Sequence, residues 1–201
     1  MPGVVTHTYD PHGVFLGNIC DLPSDEAELV LCRFRDAGAR LKANYLARRL
    51  ATEDWLIAER HKLLGRTPRE RPVYFFLGNF ADGEDASRPS SLVMPLAVFP
   101  QDAVTFTYPD SMASLPIGTR EDLRSERRPY HGKVFSLLEI REVIADFGMP
   151  RGGWPTGDER RHDRFVEMQV WDDRPIMEFM ADRTSPHEFE VSHQRQPQQR
   201  A

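Results

Sequence analysis

The chain has 201 residues, of which 40% are hydrophobic and 28% are charged, and its formal net charge is −5. These values are ordinary for a globular domain, and no run approaches the roughly 18 consecutive apolar residues of a membrane span. We therefore expect one domain over residues 1–192, a disordered polar tail over 193–201, and no membrane partner.

The N-terminus and the cysteines indicate the compartment. Residues 1–10, MPGVVTHTYD, contain no basic stretch followed by an apolar one, so a secretory signal is not predicted. Cys20 and Cys32 belong to no CxxC or CxxH pair, which gives no sign of a zinc site. Free thiols are typical of a reducing cytoplasm, where we expect this protein to reside.

Positive charge is concentrated in residues 33–71. This basic segment holds 11 Arg or Lys and 5 Asp or Glu, for a net charge of +6, so the remainder of the chain carries −11. A basic stretch binds phosphates even in a chain that is acidic overall, whereas a helix face of mixed charges is simply solvated. The sequence leaves both interpretations open.

The first part of the chain predicts one strand and two helices. Residues 4–9, VVTHTY, are typical of a short strand and are followed by a turn at 10–13. A helix is expected from Ser24, with acids in its first turn, to a stop at Gly38. A longer helix is expected over 42–64, with three apolar side chains on its buried face: Leu46, Leu50 and Ile57.

The middle of the chain predicts mainly strands. The apolar run 73–77, VYFFL, indicates a buried strand, and 91–96 and 103–108 indicate two more, with Pro95 favouring an edge or a bulge. The segregation of helices and strands favours an α+β fold over repeated βαβ units. The absence of GxGxxG and of GxxxxGKS/T disfavours a Rossmann site and a P-loop.

A helix and a long loop precede the next predicted strand. Ser136, with Glu139 three residues later, forms a capping box that opens a helix ended by Gly148. Residues 148–163 are rich in Gly, Pro and charge, and long loops are often functional. An aromatic ring and two cations in this loop suit base stacking and phosphate contacts: Trp154, Arg160 and Arg161. A last strand is expected near 187–192.

The segment 164–171, RFVEMQVW, places a carboxylate inside a predicted strand. Its alternation puts Val166, Met168 and Val170 on one face and Glu167, with polar and aromatic neighbours, on the other. The ordinary interpretation is an edge-strand Glu in water. The functional interpretation is a strand that holds Glu167 rigidly at the wall of a cleft.

Two further features suit a ligand with ribose and phosphate groups. His7 and Thr8 supply an imidazole and a hydroxyl at the end of the first strand, and both can bond a ribose. Arg48 and Arg49 point in different directions on their helix, so at most one of them enters a cleft. Arginine suits pyrophosphate because its planar fork binds two oxygens at once.

In chain order these features resemble the ADP-ribosyltransferase superfamily, most closely its DarT type, which attaches ADP-ribose from NAD to bases in single-stranded DNA. The shared series is a His near the first strand, a helical Arg, a Tyr-Phe strand, a turn with Asp110 and Ala113, and a strand Glu. The likeness extends in order over most of residues 4–175. It implies an α+β fold, with an N-terminal strand and helices followed by a mostly antiparallel split β-sheet.

The resemblance implies roles for residues of this chain. Glu167 would be the catalytic carboxylate, and Arg48 or Arg49 the catalytic arginine. The NAD site would contain His7, Thr8, Tyr74 and Tyr108, and the acceptor side Trp154, Arg160, Arg161 and Arg164. Single-stranded DNA or another nucleic acid would be the acceptor, and a toxin or defence role with an antitoxin protein partner follows from analogy alone.

Phe165 indicates which class of acceptor the resemblance disfavours. It stands two residues before Glu167, where transferases that modify arginine or cysteine side chains usually carry Glu or Gln. The resemblance therefore disfavours those protein acceptors.

Two other classes of function fit the same sequence. One is a non-catalytic domain that binds nucleic acid or a protein partner through the basic segment, with a structural Glu167. The other is a metal-dependent nuclease built on Asp110, Glu167 and His131, although no metal-ligand spacing is present. The transferase hypothesis requires a single cleft that gathers His7, Arg49 and Glu167.

Overall fold

The computed structural model describes residues 1–80, 87–150 and 163–184. Several sequence predictions lie outside these residues. They are the loop side chains Trp154, Arg160 and Arg161, the strand at 187–192, and the tail over 193–201.

In the part of the chain that the structure describes, five strands form one open sheet in which every neighbouring pair is antiparallel. They are β1 (Val4–Tyr9), β2 (Val73–Leu77), β3 (Ser90–Pro95), β4 (Val104–Thr107) and β5 (Glu167–Val170). Their order in the sheet is β3-β1-β2-β5-β4. These strands confirm the sequence prediction, including an edge position for the strand that contains Pro95, where a missing N–H costs little.

The helices are α1 (Ser24–Asp36), α2 (Tyr45–Leu63), α3 (Ser111–Thr119), α4 (Leu137–Phe147) and α5 (Arg174–Thr184). The sequence predicts α1, α2 and α4, and the capping box of Ser136 and Glu139 is present at the start of α4. It does not predict α3 or α5. The Pro-Asp-Ser run at 109–111 is typical of a turn, yet Asp110 caps α3 by accepting a hydrogen bond from the Ala113 N–H at 3.1 Å.

The mixed α+β class is confirmed, and the main core lies on one face of the sheet. Alternate strand residues such as Val5, Phe75 and Met168 pack there against Ile140 of α4 and Ile176 of α5. Within the described ranges, no helix is both long and apolar enough to cross a membrane.

α2 packs on the opposite face of the sheet and buries a different set of residues from the predicted one. The predicted Leu46, Leu50 and Ile57 are only partly buried. Ile57 still packs against a buried cluster that contains Leu56. The prediction is incomplete because hydrophobic periodicity selects apolar positions, whereas buried charges are also stable where they are paired. The buried face of α2 consists of Arg49, Thr52, Glu53, Leu56 and Arg60.

β1 and β2 separate after a short junction. They pair only at Val5 and Thr6, while β1 stays paired with β3 along its whole length. Beyond Thr6 a side-chain hydrogen bond takes the place of the backbone hydrogen bonds between β1 and β2. His7 Nδ1 lies 2.8 Å from the Tyr74 carbonyl oxygen. The sheet therefore opens at the end of β1.

Two glycines bring α3 close to the turn that follows residue 130. A Cβ on Gly118 would lie 2.3 Å from the Gly132 Cα and 2.5 Å from its nitrogen. Gly132 has a φ of 71°, a conformation that favours glycine, and its N–H donates to Ser114 Oγ at 3.0 Å. This contact fixes α3, whose first N–H, that of Ser111, faces Glu167 at 3.3 Å.

Gly118→Ala should destabilise the fold, because the added methyl group has to displace the backbone of Gly132 rather than a flexible side chain. We expect the free energy of unfolding to fall by about 1–3 kcal/mol, the usual cost of overpacking. Urea denaturation followed by circular dichroism measures the change. Gly3→Ala is the control, since a Cβ there meets nothing within 4 Å. Equal effects of the two substitutions would contradict the close contact.

Candidate functional site

A cavity of about 800 Å³ lies where β1 and β2 separate, and residues of α1, α2 and the segment after β1 also line it. Its volume is within the usual range of small-molecule sites. Five residues that the sequence singles out line it together: His7, Thr8, Arg49, Tyr74 and Glu167. The single cleft that the transferase hypothesis requires is therefore present as a geometric feature.

Three other predicted site residues do not line this cavity. Arg48 points away from it and donates a hydrogen bond to a backbone carbonyl of α3 at 3.2 Å. Tyr108 is fully buried in the core, where its hydroxyl donates to the Gly148 carbonyl oxygen at 2.9 Å. Arg164 lies over the ring of Phe165, at 5.3 Å from its centre. Of the two adjacent arginines, Arg49 is thus the one in the cleft.

Arg49 is held by a carboxylate one turn further along α2. Its Nε and Nη2 each lie 3.1 Å from Glu53 Oε1, and its guanidinium stacks 3.8 Å from the centre of the Tyr74 ring. Although burial opposes its charge, Tyr74, Glu53 and Glu167 together raise the pKa of Arg49 further above its usual range. Arg49 is therefore a fixed cation at the cavity wall, and its Nη1 takes part in neither contact with Glu53.

Glu53 is a candidate functional residue that the sequence does not single out. It is fully buried, and its Oε1 also accepts hydrogen bonds from the Tyr74 hydroxyl at 2.6 Å and from Asn18 Nδ2 at 2.9 Å. Its Oε2 has no hydrogen-bond partner among the described residues. The feature of the sequence that indicates Glu53 is its i,i+4 spacing from Arg49, which puts both residues on one face of a helix.

Glu167 lies at the start of β5, a central strand, and is only 4% exposed. Its Oε1 accepts hydrogen bonds from Gln169 Nε2 at 3.0 Å and from the Ser111 N–H at 3.3 Å. Burial raises the pKa of Glu167, nearby Arg49 opposes this rise, and Asp110 reinforces it. The edge-strand interpretation is wrong, because β5 is paired on both sides.

Asp110 is a second carboxyl group close to Glu167. Burial raises the pKa of Asp110 as well, while the Ala113 N–H, Arg49 and Arg164 act to lower it. The two carboxyl groups titrate together, since ionising one of them disfavours ionising the other.

His7 lines the cavity, and one of its ring nitrogens is a buried hydrogen-bond acceptor. Because a carbonyl oxygen only accepts, the contact of Nδ1 with the Tyr74 carbonyl puts the ring proton on Nδ1. Burial lowers the pKa of His7, which the Tyr74 carbonyl opposes and Arg88 reinforces, so the ring is neutral at pH 7. Nε2 is left as an acceptor with no partner in the described part of the chain. Such an atom suits a hydroxyl group of a ligand.

Several positively charged side chains of the basic segment are buried or paired inside the fold. Arg49 and Arg60 are buried, and Arg69 Nη1 lies 2.5 Å from Asp173 Oδ2. A nucleic-acid or protein partner for the segment 33–71 stays a prediction, and these three cations contribute little to an exposed basic surface.

The residues of the nuclease hypothesis are not assembled as metal ligands. His131 Nε2 lies 3.0 Å from Asp163 Oδ1, and its Nδ1 accepts the Arg128 N–H at 2.9 Å. Over the ranges that the structure describes, no group of three or more His, Cys, Asp or Glu side chains is arranged to hold a metal ion.

Comparison with known protein families, with curated proteins and with solved structures gives no match to this chain. The chemistry of the cavity therefore has to be inferred from its own side chains.

Arg49 and Glu53 should be strongly coupled in the stability of the protein, because removing either one leaves the other as a buried, unpaired charge. In a double-mutant cycle of Arg49→Met and Glu53→Leu, we expect a coupling free energy of about 1–3 kcal/mol. Denaturant unfolding of the four proteins measures it. The exposed Glu59–Lys62 pair of the same helix is the control and should couple by no more than about 0.5 kcal/mol. Equal coupling in the two pairs would contradict the buried contact.

The charge of Glu167 should make stability depend on pH. A raised pKa means that the folded protein keeps a proton that the unfolded chain releases near the ordinary value of 4.5. The contribution of this group to stability is therefore fully present below that pH and is lost as pH rises through the folded pKa. Asp110 acts in the same direction.

Glu167→Gln removes this titration, so we expect it to lose less stability than the wild type as the pH rises above the ordinary value of 4.5. Urea unfolding at a series of pH values gives the two curves. Glu142→Gln, at an exposed position of α4, should follow the wild type. Parallel curves for Glu167→Gln and the wild type would show that Glu167 is not buried as described.

Proposed function

We propose that this protein is an NAD-dependent mono-ADP-ribosyltransferase that modifies a nucleic-acid base. The observation that carries the proposal is the one cavity lined by His7, Arg49, Tyr74 and Glu167. The opening of the sheet between β1 and β2 also supports the split-sheet fold that the sequence resemblance implies.

The reaction breaks the bond between nicotinamide and the ribose of NAD and joins the ribose carbon to the acceptor. Positive charge develops on the ribose as this bond breaks, as in glycoside cleavage. A carboxylate fixed beside the sugar stabilises that charge. Glu167 fills this role in the proposal and also takes the proton that the acceptor loses, while nicotinamide leaves as a neutral molecule.

The remaining side chains of the cavity bind the substrate. His7 Nε2, a buried acceptor without a partner in the described chain, receives a ribose hydroxyl with the help of Thr8. Arg49 supplies a fixed positive charge for the pyrophosphate, and its Nη1 is outside the Glu53 contact. One face of the Tyr74 ring is covered by Arg49, so nicotinamide has to use the other face or the edge of that ring.

An aromatic cluster beside Glu167 supports a base as the acceptor. Phe165 packs against Phe76 and Phe80, with ring centres 4.8 Å and 5.3 Å away. Phe76 is the direct β2 partner of Glu167 in the sheet. Aromatic rings stack on any base, whichever its hydrogen-bonding edge. In this proposal the acceptor is single-stranded DNA or another nucleic acid; an antitoxin partner stays a prediction.

The test is transfer of label from NAD, labelled in its adenylate part, to single-stranded DNA, RNA or lysate protein. We expect labelled nucleic acid with the wild type and a loss of at least about 100-fold in Glu167→Gln, the scale of losing a preorganised electrostatic group. Glu142→Gln, on exposed α4 surface, should keep full transfer. Folding of both variants is checked by circular dichroism.

Two outcomes would contradict the proposal. The first is the absence of both NAD turnover with every acceptor and NAD binding by calorimetry. The second is transfer that survives in folded Glu167→Gln. Labelled protein in place of labelled nucleic acid would support the transferase activity but contradict nucleic acid as the acceptor class.

A further inference from the structure

A chain of buried hydrogen bonds on β4 and β5 ends at Glu167. Trp171 Nε1 donates to Thr105 Oγ1 at 2.8 Å, and Thr105 Oγ1 donates to Gln169 Oε1 at 3.0 Å. Gln169 Nε2 then donates to Thr107 Oγ1 at 3.1 Å and to Glu167 Oε1 at 3.0 Å. The first four of these side chains are fully buried, so water does not compete for their hydrogen bonds.

The direction of the chain is set at its two ends, by the indole N–H of Trp171 and by the carboxyl oxygen of Glu167. An indole N–H only donates, so Thr105 Oγ1 accepts from Trp171 and has its own proton free to donate. That proton goes to the carbonyl oxygen of Gln169, which turns the amide N–H groups of Gln169 toward Thr107 and Glu167. The opposite amide orientation would bring two oxygens to 3.0 Å at Glu167 and would need a proton between them.

The same oxygen of Glu167 meets a second donor. The Ser111 N–H, at the start of α3, faces Oε1 at 3.3 Å, where the positive end of the helix favours negative charge. With two N–H donors directed at it, Oε1 is an acceptor whether Glu167 is ionised or protonated. A proton on Glu167 therefore has to sit on Oε2.

We infer that Gln169 is a positioning residue that reserves Glu167 Oε1 for the protein and leaves Oε2 as the oxygen that carries the proton and meets the substrate. The inference concerns the site of the proposed transferase and rests on that function for its catalytic meaning. Gln169 itself is too deeply buried to touch a ligand, so it acts through Glu167.

Other groups also act on Glu167 and must be kept constant in a test. Arg49 from α2 favours its ionised form, whereas Asp110, just before α3, opposes it. Tyr74 from β2 interacts with it electrostatically. Gln169 and the Ser111 N–H both support the ionised form by donating to it. Removing the Gln169 donor alone should therefore favour the protonated form of Glu167.

The experiment is a carbon-13 NMR titration of glutamate carboxyl groups, in which the Glu167 signal is assigned by its loss in Glu167→Gln. Gln169→Met keeps the size of the side chain and removes its donor, and we expect the titration of Glu167 to move to higher pH. Gln101→Met, at an exposed position, should leave it unchanged. No shift in Gln169→Met, or a shift to lower pH as a reversed amide requires, would overturn the inference.

A measurement on the wild type covers the case in which Gln169→Met does not fold. The side-chain amide protons of Gln169, observed by nitrogen-15 NMR, should shift with the same midpoint as the Glu167 carboxyl group. Amide protons whose chemical shifts do not change with this titration would contradict a hydrogen bond from Gln169 to Glu167.

Transfer activity gives the catalytic readout. In Gln169→Met we expect kcat to fall about tenfold or more, the scale of one hydrogen bond to a charged group, with the acidic limb of the kcat profile moved to higher pH and little change in KM. If the titration of the Glu167 carboxyl group moves in this variant but the pH profile of kcat does not, Gln169 has only a structural role. If the wild type transfers no label, the proposed function fails, while the NMR titrations still decide the role of Gln169.

Discussion

A buried guanidinium holds the helical layer against the cleft face of the sheet. Arg49 reaches from α2 to the Tyr74 ring, and Glu53, on the same helix, neutralises its charge. A lone charge at this depth would cost several kcal/mol, and Glu53, with its partner Asn18, offsets this cost where the helix packs on the sheet. Leu46 and Leu50 of α2 are only partly buried as a result, while Arg49 forms part of the wall of the cavity.

The cavity exists because two neighbouring strands stop pairing. Where β1 leaves β2, the side chain of His7 takes the place of the missing ladder bond at Tyr74. This exchange satisfies the backbone carbonyl and also sets the tautomer of the ring. One structural necessity, a paired carbonyl oxygen, thus leaves the other ring nitrogen of His7 as a buried acceptor with no partner among the described residues.

The buried position of Glu167 has a cost in stability. A central strand paired on both sides gives it a rigid backbone, and the Gln169 amide orients its carboxyl group. Burial disfavours its charged form, as the raised pKa of Glu167 records. Local conflict of this kind, with a charged group in a position that otherwise suits an apolar one, is typical of functional sites.

The five described strands, α1, α2, α4 and the α+β class could be predicted from the sequence, because periodicity, caps and turn residues act over a few positions. The sequence also marked His7, Arg49 and Glu167. Which of Arg48 and Arg49 faces the cavity could not be predicted in this way, since it depends on how α2 is rotated against the sheet. The same holds for Glu53 and Gln169, whose importance comes from partners far along the chain. α3 shows the limit of local reasoning, because its start at 109–111 is typical of a turn, whereas its close approach to Gly132 through Gly118 is a tertiary contact.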